Sequence, residues 1–152
     1  MTGAHVHLML THIPIMGALF GLLILGYALF LHKQEAARIG FGLLVVAGFA
    51  AIAVYLTGES AEEVVEHLPG ISEAVIERHE EAAVFGLFGA AALGVLSLTG
   101  LVVYRKGIPQ WLITTTFVAA LVVSGILVWT ANLGGQINHP EIHSDVSIVE
   151  EG

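Results

Sequence analysis

Long apolar runs alternate with short polar links along this chain. Four runs reach the roughly 20 apolar residues that a membrane-spanning helix needs, and they cover residues 8–31, 39–57, 82–104 and 109–131. Gap-free apolar patterns of this length favour membrane spans over the buried helices of a soluble protein. The pattern therefore predicts an all-α protein, with residues 1–152 forming a single integral membrane domain.

The polar links between these runs predict the order of the helices. Residues 32–38 and 105–108 are so short that the helices they join must be antiparallel neighbours. We therefore expect an up-down-up-down bundle of four transmembrane helices. A polar island at residues 58–81 separates the second and third helices, and a tail at residues 132–152 follows the fourth.

The island predicts a short helical segment outside the membrane. Ser60 and Glu63 match a capping box and predict a helix start, and Pro69 followed by glycine predicts its end. Ser72 is a suitable N-cap for the third helix, which would project from the membrane and carry His79.

Composition and charge narrow the function and the orientation. The hydrophobic fraction is 56% and the mean hydropathy is +0.85, both above the values of an average soluble domain. Cysteine is absent, which excludes disulfides, iron–sulfur clusters and thiolate metal sites. Five basic residues against a net charge of −8 argue against binding to nucleic acid.

The basic residues also indicate which side of the membrane each link occupies. Four of the five lie in the two short links, so the positive-inside rule places these links in the cytoplasm. Both termini and the island then lie outside a bacterial inner membrane. Seven of the eight histidines, all but His32, fall on that outer side together with most carboxylates.

Two histidines are the main candidates for chemistry. His12 lies inside the first span, where a polar group without a partner costs several kcal/mol by rough estimate. It is either a ligand or proton relay, or a neutral ring bonded to a carbonyl that Pro14 frees. His79 heads a helical face that continues through small residues to Ala90. Such residues either pack helices closely or leave room for a flat cofactor.

Further donors lie near the same predicted membrane face. The candidate metal ligands beside His12 and His79 are His139, Glu59, Glu63, Glu80 and Glu141. Histidines in terminal segments are often bystanders, so His5, His7 and His143 rank below these.

Two kinds of centre fit such donors. Histidine pairs that face each other across a bundle suit haem b, whereas mixed histidine and carboxylate clusters suit an Fe, Mn or Zn ion. The paired E-x-x-H motifs of di-iron bundles are missing from the sequence, which counts against a ferritin-like centre.

The motif Thr-His-Ile-Pro on the first span, His79 at the head of the third and the double glycine before His139 resemble a known family. Its members are uncharacterised, small four-helix proteins of the bacterial inner membrane, with His-Phe-Pro on the first helix and a single histidine leading the third. Ile13 stands here in place of the aromatic residue. The resemblance implies His12 and His79 as the functional pair, with a haem-binding role.

We therefore expect a redox protein with a histidine-ligated haem b or metal at the outer end of the bundle. Its role would be electron transfer, with a quinone or a membrane or periplasmic redox protein as partner. One alternative is a non-haem metal-site protein that uses the carboxylates, and another is a structural subunit of a larger membrane complex. Hydrolase and nucleotide-binding motifs are missing from the sequence.

Overall fold

The computed structural model describes residues 3–65 and 73–138. This part of the chain forms four helices and contains no strand: α1 (Gly3–Leu31), α2 (Gln34–Val65), α3 (Glu73–Val103) and α4 (Gln110–Asn138). Each helix is long and apolar enough to cross a membrane. The prediction of an all-α protein with four candidate spans is confirmed.

The prediction of a separate helix starting at Ser60 is wrong, because α2 continues without a break to Val65. The Thr57 hydroxyl donates to the carbonyls of Ala53 and Val54 within the same helix, at 3.2 and 2.8 Å. This polar residue is therefore satisfied without leaving the helix, and nothing stops α2 where the apolar run ends.

The remaining part of the island divides between α3 and the undescribed residues. α3 begins at Glu73, where the predicted N-cap at Ser72 expects it, and carries His79. The predicted stop at Pro69 lies outside the described residues. In place of a separate helical piece, the described part of the island extends α2 and α3.

Each helix packs against its neighbour in sequence, and α1 also packs against α4. Along α1 and α2 the contacts run in opposite order, since Gly17 faces Ala47 and Gly21 faces Leu44. The buried core includes large side chains from α1, α2 and α4. The result is a four-helix bundle with one continuous core.

Glycines bring α2 and α3 into backbone contact near the middle of the bundle. A Cβ on Gly48 would lie 2.8 Å from the Ala90 carbonyl oxygen and 3.1 Å from the Gly94 Cα. Gly86 packs against a side chain of α4, because its Cβ would lie 3.2 Å from Leu127 Cδ2. The small residues of α3 therefore serve close helix packing, and neighbouring helices occupy the space beside them.

Side chains tie the two short links together at one end of the bundle, which we name the link end (residues 32–38 and 104–110). The Gln34 amide donates to the Ile108 carbonyl and accepts from the Ile108 N–H, both at 2.9 Å. Arg38 donates to the carbonyls of Tyr104 and Arg105. These bonds satisfy backbone groups that the ends of the helices leave without partners.

The Gly48 contact generates a test of the fold with a matched control in the same helix. Gly48→Ala should lower the free energy of unfolding by about 1–3 kcal/mol, because the added methyl meets backbone atoms that cannot move aside. Gly42→Ala should leave it unchanged or raise it slightly, since nothing lies within 4 Å of its Cβ position. Unfolding in mixed detergent micelles measures both. Equal changes in the free energy of unfolding for the two variants would contradict the close contact between Gly48 and α3.

Candidate histidine site

The opposite end of the bundle, which we name the histidine end, holds His7 of α1 against α2. Its Nδ1 lies 3.1 Å from the Val54 carbonyl oxygen and 3.2 Å from the Thr57 hydroxyl oxygen. A carbonyl oxygen can only accept, so Nδ1 carries the proton and donates it. In the neutral ring this leaves Nε2 with a free lone pair.

His79 makes the corresponding bond on the other side of the bundle. Its Nδ1 lies 3.0 Å from the carbonyl oxygen of Thr130 on α4. The same reasoning assigns the proton to Nδ1 and the lone pair to Nε2. Each imidazole is thus oriented by a hydrogen bond to the backbone of a neighbouring helix. Histidines that bind metals are commonly oriented in the same way, through the ring nitrogen that does not touch the metal.

Both accepting carbonyls lie four residues before a glycine. In an α-helix the carbonyl of residue i also accepts from the N–H of residue i+4, which is Gly58 for Val54 and Gly134 for Thr130. A Cβ at these glycines would lie 3.8 Å from His7 Cε1 and 3.0 Å from His79 Cε1. The missing side chains leave room for an imidazole to reach a carbonyl that is already part of a helix.

His7 on α1 and His79 on α3 lie at the same end of the bundle, each bonded to a neighbouring helix. Both side chains are half-buried. The histidine end therefore brings together two oriented imidazoles from α1 and α3. Chemically, such a pair can bind a metal or haem iron through Nε2, or accept and release protons.

His12 lies on a different face of α1 from His7. Its ring is exposed, and Nδ1 bonds the Leu8 carbonyl of its own helix at 3.2 Å. Five residues along a helix turn the side-chain direction by about 140°, so the two rings cannot share a face. Among the described residues, the second imidazole bonded across helices at this end is that of His7, which the sequence ranked as a weaker candidate than His12.

The candidate carboxylates do not join the two rings in a described cluster. Glu59, Glu63 and Glu80 are exposed, and His139 and Glu141 lie outside the described residues. Within residues 3–65 and 73–138, no group of three or more histidine and carboxylate side chains is arranged to hold a metal ion. Of these candidates, only Glu80 borders an open groove of about 200 Å³ between α2 and α3, whose other lining residues are Glu62, Glu73, Ile76 and Glu77.

Comparison of the chain with known protein families, curated proteins and solved structures finds no match. The chemistry of the histidine end is therefore inferred from its own side chains.

Adjacent glycines on α4 test how His79 is held. Gly134→Ala should push the His79 ring away from the Thr130 carbonyl. The free energy of unfolding should then fall by about 1 kcal/mol, the usual contribution of one hydrogen bond. Gly135→Ala is the matched control, because nothing lies within 4 Å of its Cβ position. NMR of ¹⁵N-labelled imidazoles reports the His79 Nδ1–H directly. An unchanged Nδ1 signal in Gly134→Ala would contradict the described contact.

Proposed function

We propose that this protein is an integral protein of a bacterial inner membrane, folded as an up-down-up-down bundle. The length and apolar character of the four helices support this placement, as do large apolar side chains that face outwards from every helix. Trp111 and Trp129 are exposed and stand eighteen residues apart on α4. That separation is about 27 Å along a helix, close to the thickness of a bilayer core.

The charges at the two ends support a cytoplasmic link end. The basic residues of this end are Lys33, Arg38, Arg105 and Lys106. The extensions of α2 and α3 at the histidine end carry most of the described carboxylates. By the positive-inside rule, this asymmetry supports an outer position for the histidine end.

Within this arrangement we propose that His7 and His79 would hold a b-type haem through their Nε2 atoms. The observation that carries the proposal is that each Nδ1–H is bonded to a backbone carbonyl of a neighbouring helix, which leaves each Nε2 free to bind iron. Two imidazoles are a full set of axial ligands for haem iron. Hydrogen bonding at Nδ1 also makes an imidazole a stronger ligand.

The packing of the bundle limits where a haem fits. The stripe of small residues below His79 is filled by α2 at Gly94 and by α4 at Gly86. A macrocycle therefore belongs at the histidine end, beside His7 and His79, and not along the packed middle of α3. When bound, haem supplies a one-electron couple, which suits transfer between a membrane quinol or redox protein and an acceptor outside the membrane.

The protein itself would orient the two imidazoles and set the electrostatic field around the haem. The carbonyls of Val54 and Thr130 fix the planes and tautomers of the two imidazoles. Exposed carboxylates around this end, such as Glu59 and Glu80, give it a negative field. That field favours the oxidised, more positive form of a nearby centre and attracts basic redox partners.

A second candidate is a non-haem Fe, Mn or Zn ion on the same two histidines. The close packing favours it, because a bare ion needs far less space than a macrocycle. It would require further ligands beside the two imidazoles, since these metals take at least four.

Absorption spectroscopy of protein purified in detergent tests the assignment. The wild type should show a Soret band with α and β bands after reduction, and His7→Ala or His79→Ala should lose at least half of the haem bound per chain. His12→Ala is the matched control and should keep the full spectrum, because its ring is exposed and bonded within its own helix.

The other outcomes decide between the alternatives. A colourless protein that carries stoichiometric Fe, Mn or Zn by elemental analysis would replace haem with the bare ion. Folded protein that holds neither would overturn the proposal and leave the two imidazoles as hydrogen-bonding links between helices. Equal losses in His12→Ala and His7→Ala would contradict the choice of His7.

A further inference from the structure

A groove of about 550 Å³ opens at the link end, where α1 passes into α2. It lies at the opposite end of the bundle from the two imidazoles. Its walls come from the last turns of α1 and the first turns of α2, and they comprise Tyr27, His32, Lys33, Gln34, Glu35, Ala36 and Ile39.

The groove changes from apolar to charged along its length. Tyr27 and Ile39 contribute exposed apolar surface, 54% and 58% accessible, on the side towards the middle of the helices. Lys33 and Glu35 stand at the rim, one of each sign, and both are exposed. Within the described residues neither side chain makes a hydrogen bond or an ion pair, whereas the Gln34 amide is fully engaged with Ile108.

His32, at the corner of the groove, has a backbone conformation that residues other than glycine rarely adopt. Its φ is 52°, which lies in the left-handed region. Glycine is the usual residue in this conformation directly after a helix. The Lys33 N–H bonds the Ala28 carbonyl at 3.0 Å and closes the turn. A histidine here is less favourable for the fold than glycine, and what it adds is a ring N–H donor beside Lys33.

We propose that this groove binds one phospholipid with a phosphatidylethanolamine headgroup. Lys33 and His32 bind the phosphate, the Glu35 carboxylate binds the primary ammonium, and the first segment of an acyl chain lies along Tyr27 and Ile39. The positive charge of Lys33 and the negative charge of Glu35 match the phosphate and the ammonium group of this headgroup. Phosphatidylglycerol offers Glu35 only neutral hydroxyl groups and no cation, and the choline group of phosphatidylcholine has no N–H to donate.

The binding site requires only that the bundle sits in a membrane. It shares no residue with the histidine end, so loss of haem or metal binding leaves it unaffected. Conversely, a chain recovered from the soluble fraction after cell lysis would overturn the membrane placement itself, before any lipid is added.

Native mass spectrometry tests the site on detergent-purified protein titrated with phosphatidylethanolamine, phosphatidylglycerol or phosphatidylcholine of identical acyl chains. The wild type should retain one phosphatidylethanolamine several-fold more strongly than either other lipid. Lys33→Gln should weaken its retention about fivefold, the worth of one lysine near a lipid headgroup. Lys106→Gln, in the other link, is the matched control and should have no effect.

Glu35→Gln separates recognition of both charges from simple attraction to anionic lipid. This variant should lose the preference for phosphatidylethanolamine over phosphatidylglycerol while still binding phosphate through Lys33. Stronger retention of phosphatidylglycerol by the wild type, equal retention of all three lipids, or equal losses in Lys33→Gln and Lys106→Gln would each overturn the proposal. Circular dichroism of every variant confirms that helix content is unchanged.

Discussion

The close approach of α2 and α3 at Gly48 and Gly94 is the constraint on which the rest of the bundle depends. Helices surrounded by lipid gain little from the hydrophobic effect when they associate, because lipid tails are as apolar as the side chains. Tight packing and hydrogen bonds must hold them together instead. Backbone contact near the middle of two helices fixes their spacing there, and with it the distances across both ends.

Side chains bonded to backbone complete the assembly at each end. At the link end, Gln34 and Arg38 bind groups that the helix ends leave open. At the histidine end, imidazoles bind carbonyls that already belong to helices, and glycines at 58 and 134 make those carbonyls reachable. Glycine therefore has two roles in this chain: it brings backbones together in the middle and admits a ring near the end.

The sequence predicted the four helices, whereas only the structure shows which helices the histidines contact. Unbroken apolar runs and two short links were enough to predict four spans. The structure turns His7 of α1 towards Val54 on α2 and leaves the His12 ring exposed. No local pattern shows this, since the face that a helix turns to its neighbours is set by packing.

The double glycine at residues 134–135 is a second feature whose role the sequence alone does not reveal. Glycine weakens helices, yet α4 continues through both residues to Asn138. The position of His79 on a different helix explains why Gly134 belongs there. A glycine that disfavours its own helix can still be required by a neighbouring one, and only the tertiary structure distinguishes the two cases.

The hydrogen bonds of the two histidines divide the candidate site between two helical hairpins. His7 is oriented inside the α1–α2 pair and His79 inside the α3–α4 pair, so each hairpin carries one imidazole already fixed in its final tautomer. A ligand that both imidazoles hold would therefore require both hairpins, and it would be bound only after they had packed together.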